Sequence, residues 1–161
     1  SANFKLDNRG FETNTKINIE EWMGKDSWIK SIHLGYSYIS QKRHDDIEIY
    51  KSSYALNYLK HKFVSHLQHK LFTNKLTLNW SVRWQDRMGD YIDYSNPTHK
   101  NGELKAYPSY ALVDVKAQWA EKNYLVYLEA NNLLDRTYFD LGSVPQPGFW
   151  FKAGIKCKFH L

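Results

Sequence analysis

Alternation with a period of two runs through this chain and confines it to β structure. Leu76, Leu78, Trp80, Val82 and Trp84 fall on one face of an extended segment, with Thr77, Asn79, Ser81, Arg83 and Gln85 on the other. The reason is that successive side chains of a strand point to opposite sides. The same pattern sets Ile32, Leu34, Tyr36 and Tyr38 against Ser31, His33, Gly35 and Ser37, and Ala111, Val113, Val115, Ala117 and Trp119 against Asp114, Lys116 and Gln118. At the end of the chain Phe149, Phe151, Ala153, Ile155, Cys157, Phe159 and Leu161 oppose Lys152, Gly154, Lys156, Lys158 and His160. Segments around 10–22, 54–70 and 123–132 read as further strands. No long window shows helical spacing, and nothing between the strands has the length of a βαβ crossover. The expectation is an all-β chain of about seven strands in an antiparallel up-and-down meander.

Strand length and link length narrow this further. Several segments keep their alternation for ten or more residues, whereas soluble strands average about 5–6 residues. A tilted strand crossing a bilayer needs about 9–11. The links alternate as well. Met23-Gly24-Lys25-Asp26, Phe72-Thr73-Asn74-Lys75 and Glu121-Lys122-Asn123 read as tight turns, while the links at about 42–53, 87–109 and 133–148 are long and polar. Outer-membrane barrels have short turns on one side and long loops on the other. No apolar run reaches the roughly 18 residues of a membrane helix, but strands that alternate do not need one.

Aromatic residues make up 16% of the 161, with six Trp, twelve Tyr and eight Phe. Trp22, Trp28, Phe72, Trp119 and Tyr124 fall by the short turns, and Tyr36, Tyr38, Tyr54, Trp84, Tyr110 and Trp150 near the opposite strand ends. Two such belts suit interfacial anchoring, since these rings are apolar bodies with a polar edge. The pattern therefore predicts part of a transmembrane β-barrel whose apolar rows face lipid.

Asn132-Leu133-Leu134-Asp135-Arg136-Thr137-Tyr138, then Gly142 and Pro145-Gln146-Pro147-Gly148 before an alternating last strand, resembles the C-terminal end of TonB-dependent outer-membrane receptors. Leu134 and Phe149 depart from the family's usual Phe and Arg, and the chain ends in Leu161 rather than Phe, keeping the apolar position. The resemblance implies that residues 1–161 are the last strands of a 22-stranded barrel with a plugged lumen, with the plug and its TonB-contacting segment absent. It implies uptake of a scarce ligand such as a ferric siderophore, cobalamin or a glycan, in the outer membrane of a Gram-negative cell. Partners would be outer-membrane lipid, the imported ligand, and TonB only through the absent plug. Phe159 and Leu161 would carry the terminal assembly signal. The opening Ser, with no signal peptide before it, fits a mature protein or a piece of a longer one.

Function is then expected in the loops that a rigid wall positions. Tyr91, Asp93, Tyr94, His99 and Tyr107 in the longest loop, with Tyr138, Phe139 and Asp140 in the last, mix rings and polar groups as a binding surface does. Asn101-Gly102 reads as a hairpin turn that extends the flanking strands. No catalytic residue, cofactor or metal is expected. His66 and His69 fall on opposite faces of one strand, and His61 and His69 share a face but lie too far apart for one ion. His44-Asp45-Asp46 reads as a solvated loop. No Gly-x-Ser-x-Gly elbow accompanies Ser65 or Ser81. Cys157, the one cysteine, excludes an internal disulfide and reads as a small hydrophobe. The net charge of +5 comes from 22 dispersed Lys and Arg, nowhere denser than Gln41-Lys42-Arg43, which argues against nucleic acid. The alternative is a soluble lipid- or ligand-binding β-barrel with apolar rows inward. A self-contained membrane adhesin or enzyme requires an even strand count.

Overall fold

The computed structural model describes residues 5–44, 58–140 and 144–158. Strand β1 (Lys5–Asn18) leads through a five-residue helix α1 (Ile19–Met23) to β2 (Ile29–His44). Strands β3 (Leu59–Leu71), β4 (Thr73–Arg87), β5 (Asp90–Asp93), β6 (Glu103–Ala106), β7 (Tyr110–Ala120), β8 (Tyr124–Asn131) and β9 (Trp150–Cys157) follow. Seven strands form one sheet in the order β1-β2-β3-β4-β7-β8-β9, and β5 and β6 pair separately. Each neighbouring pair is antiparallel. The all-β up-and-down meander expected from alternation is the fold observed.

Register turns alternation along each strand into continuous rows across the sheet. Ile17, Ile32, Leu67, Trp80, Val115, Ala130 and Phe151 stand opposite one another in succession, an apolar row through all seven strands. Asn18, Ser31, Gln68, Asn79, Lys116, Glu129 and Lys152 form a neighbouring row that is entirely polar. The rows lie one residue apart, so they project to opposite faces. A slip of one residue in any ladder would put charge among the apolar side chains.

The apolar face is not covered by the chain. Leu128 is 54% exposed, Ile155 64% and Phe151 69%, a contiguous apolar surface of the kind that marks an interaction site for protein or membrane. Among the described residues the buried hydrophobic side chains are Tyr107, Tyr110 and Leu112. All three sit at the long-loop end of the sheet. By register Tyr110 stands opposite Gln85 and Leu112 opposite Arg83, on the polar side. The small core therefore belongs to the loops folded over that side.

Three links differ from the sequence expectation. The link between β1 and β2 is longer than the tight turn expected at 23–26: the chain leaves the sheet after Asn18 and winds through α1, and only then turns from Gly24, φ 95°, closed by the Ser27 N–H to the Gly24 carbonyl at 3.1 Å. Glu20 on α1 accepts an ion pair at 2.9 Å from Lys70, which also donates to the Lys25 carbonyl at 2.6 Å. That tie fastens the helix to the sheet. The loop after β4 does not extend its flanking strands. Gly89, at φ 103°, breaks β4, and β5 and β6 then form a hairpin of their own. Nor is Asn101-Gly102 a two-residue turn, because the residues between β5 and β6 close through His99 N–H to Asn96 O and Gly102 N–H to His99 O. Finally, Tyr110 and Trp150 are not part of a lipid-facing belt, since register puts Trp150 beside Asn131 on the polar side. Tyr36, Tyr38 and Trp84 remain on the apolar side. Phe159, Leu161 and Tyr54 lie outside the described residues.

Candidate functional site at the long-loop end

The Asn132–Asp135 segment is a built corner. Asn132 is 3% exposed with φ 52°, a conformation that Asn tolerates better than most residues. Its Nδ2 donates to the carbonyls of Arg136 at 2.9 Å and Pro147 at 3.2 Å, and its Oδ1 accepts from the Arg136 N–H at 3.0 Å. Its own N–H donates to Asp114 Oδ1 at 2.7 Å. Asp135 Oδ1 accepts from the Phe149 N–H at 2.8 Å, and a Cβ on Gly148 would collide with that oxygen. One asparagine and one aspartate thus satisfy the orphan backbone groups between β7, β8 and β9. That gives the Asn-Leu-Leu-Asp stretch a physical role.

This corner delivers Tyr138, Phe139 and Asp140 over the polar side of the wall. Asp140 Oδ1 accepts from Gln85 Nε2 at 2.9 Å and from the Tyr110 hydroxyl, with Arg83 Nη2 3.9 Å from its other oxygen. Gln85, 2% exposed, also donates to the Tyr110 hydroxyl. Tyr138 packs against Tyr110 with ring centroids 4.8 Å apart, and Arg83 lies 6.0 Å over its ring. The longest loop joins the same cluster. Tyr91 stacks on Phe139 at 4.5 Å and lies 5.3 Å from Tyr107, over which Arg87 sits at 5.6 Å. The two long loops are therefore one packed unit of five rings, one carboxylate and two guanidinium groups.

Of the sequence-predicted residues, Tyr91, Tyr107, Tyr138 and Asp140 come together here. Asp93, Tyr94 and His99 do not: they belong to the β5–β6 hairpin, with Tyr94 62% exposed and His99 exposed. Asp93 has a structural task. The Lys105 ammonium at 2.6 Å, followed by the Ser95 N–H, holds its carboxyl down at about 2. A depressed carboxylate contributes stability above its unfolded value and loses it as pH falls toward the folded one. The hairpin is therefore expected to hold above about pH 4 and to loosen between about pH 4 and 2, read as faster amide exchange at 90–106. Asp93→Asn should remove that dependence. Sequence reading named Phe139 in the last loop, placed Arg83 and Gln85 only in the polar row, and missed Arg87 and Tyr110 as partners. The row Arg83-Gln85-Arg87 carried the signal, by extending its polar face past the last apolar position of β4.

Below the loops the polar face is hollow. A trough of about 680 Å³ runs from Lys16 on β1 to Asn131 on β8, so this face is the concave one. It holds the row Lys16, His33, His66, Ser81 and Asp114, with His33 and His66 stacked at 5.5 Å. Amides link across it, Gln68 Nε2 to Asn79 Oδ1 at 2.8 Å and Asn79 Nδ2 to Gln118 Oε1 at 2.9 Å. Glu129 lies 3.0 Å from Lys152 and 3.7 Å from Lys116. Histidines on the other face are matched individually: His61 Nδ1 pairs with the Tyr36 hydroxyl at 2.7 Å, and the Trp80 indole donates to His69 Nε2 at 3.1 Å. An unmatched imidazole on an apolar face would be costly. Among the described residues no three His, Cys, Asp or Glu side chains converge on a metal position.

Fold and faces define a class: an antiparallel wall, apolar on its convex side and polar on its hollow side, capped at one end by packed loops. No family model matches the chain, and no curated protein matches it. Among solved structures it is similar to the FrpB iron transporter from Neisseria meningitidis (F3-3 variant), with a TM-score of 0.63 and 15% sequence identity. The match covers 93% of this chain and 23% of that one. The likeness is one of fold, and the chain spans less than a quarter of that transporter.

Proposed function

We propose that residues 1–161 form about seven strands of the barrel wall of a TonB-dependent receptor in a Gram-negative outer membrane, and that its long loops take part in capturing a scarce small ligand. The observation that carries this reading is the pair of seven-strand rows, apolar outside and polar along the hollow. The likeness to part of an iron transporter supports it at the level of fold. A ferric siderophore, cobalamin or a similar ligand suits a mouth built from rings and guanidinium groups. Energy from TonB would reach the wall through a plug outside these residues. The soluble-barrel alternative requires the apolar rows to line the cavity, and the trough lies on the other face.

The test is uptake and ligand binding by the full receptor. Tyr91→Ala combined with Asp140→Asn separates the loops from each other and from the wall, and is expected to weaken ligand capture by about tenfold while the barrel still assembles. Unchanged capture would remove these loops from the binding site.

A further inference from the structure

Among the described residues a polar cleft opens on the apolar side of the wall. We propose that Arg9, Ser40 and Lys42 bind the phosphate of a lipid headgroup in the leaflet on the long-loop side. This rests on the membrane reading above and adds a lipid site to it.

A cleft of about 260 Å³ is lined by Asp7, Arg9, Ser40 and Lys42. In the β1–β2 ladder Arg9 stands opposite Ser40, and Asp7 opposite Lys42. By strand parity these residues share the face of Phe11 and Tyr38. Phe11 lies 6.1 Å from Tyr38 and 5.6 Å from Tyr36, which makes this the aromatic row at the long-loop border of the apolar face. Arg9 and Ser40 are each two residues beyond it, about 7 Å along the strand. That is where the hydrocarbon ends and headgroups begin. The order outward is therefore ring, then guanidinium and hydroxyl, then ammonium and carboxylate.

The chemistry fits a phosphate. Arg presents a planar fork of donors that matches two phosphate oxygens, Ser40 adds a hydroxyl, and Lys42 adds a second positive charge. Asp7 lies in the farther row, so an anion rising from the membrane meets Arg9 and Ser40 first. Both cations are exposed, and long basic side chains of this kind are suited to an interface, with an apolar stem below a charged head.

The experiment compares the full receptor with its Arg9→Gln/Lys42→Gln double variant in phosphatidylcholine nanodiscs and scores retained phosphatidic acid by native mass spectrometry. At about a fivefold effect for each cation near a charged surface, retention should fall about 30-fold when both are removed. Tryptophan quenching by brominated phosphatidylcholine should be equal in the two proteins. Equal retention of phosphatidic acid overturns the site while leaving the membrane reading intact. Displacement of the lipid by inorganic phosphate at comparable concentration also overturns it, because the site would then be one for the free ion. Absence of quenching in the unsubstituted receptor overturns the membrane reading, and this site with it.

Discussion

On the proposed membrane reading, Val115→Arg is expected to destabilise the full assembled protein by about 2–4 kcal/mol, the cost of a basic side chain on a lipid-facing row near the membrane midplane. Val115 stands between Trp80 and Ala130 in the apolar row, four residues from Trp119 near the short-turn border and level with the middle of β4. Ser81→Arg is the matched control. Ser81 stands opposite Asp114, one residue along the β4–β7 ladder from the Trp80–Val115 pair, but it lines the polar trough. There a guanidinium stays in water, and the expected change is below about 1 kcal/mol. Urea unfolding from lipid vesicles measures both. The comparison matters because both positions lie at the same depth and differ only in face. If the control is the more damaging of the two, the apolar rows point inward.

Asn132→Ala should be the most damaging single change at the loop end. It deletes two donated bonds and one accepted bond at a residue only 3% exposed, and buried groups left without partners cost about 1–3 kcal/mol each. Allowing for relaxation, the expected loss is about 3–5 kcal/mol. Asn132→Gly separates the backbone from the side chain. It relieves the positive φ, worth about 1 kcal/mol, and leaves the missing hydrogen bonds unrepaired. Thermal unfolding reads the totals. Limited proteolysis within 133–148 should accelerate in both variants, because Asp135 and Gly148 no longer hold the return to β9. A corner that tolerates Asn132→Ala would reduce the Asn-Leu-Leu-Asp stretch to an incidental loop.

How far the sequence reached depends on range. The two faces were legible because a strand's period is two and each face meets one environment over many residues, so Leu76–Trp84 and Ala111–Trp119 declare themselves without knowledge of their neighbours. Strand number followed from counting such runs. What failed was local and short, or non-local. Ile19–Met23 spans little more than one helical turn, too few residues to show a helical period against the surrounding alternation. Asp90–Asp93 and Glu103–Ala106 are four-residue strands inside a loop rich in turn formers. Tyr110 and Trp150 were assigned to a belt from their place along the strand. Parity with Ala111 and Phe151 already put them on the other face.

The candidate site divides the same way. Tyr91, Tyr107, Tyr138 and Asp140 could be named from loop composition, and the structure brings them together. Their wall partners Gln85 and Tyr110 are 55 and 30 residues from Asp140 in sequence, and no single-sequence pattern links positions so distant. The His33–His66 stack depends on the β2–β3 register, which alternation alone leaves free by any even step. Asn132 is the intermediate case. Resemblance picked out its segment, and only the fold showed that a side-chain amide, rather than a hydrophobic contact, holds the corner.

The most direct measurement of the central claim is a spin-label scan along β7 in the membrane-reconstituted receptor, one label at a time from Ala111 to Gln118. Relaxation by oxygen, which concentrates in hydrocarbon, is expected to peak at Ala111, Val113, Val115 and Ala117. Relaxation by a water-soluble nickel chelate should peak in antiphase, at Asp114, Lys116 and Gln118. The opposite phase, with oxygen favouring the charged positions, would place the apolar rows inside and contradict the account.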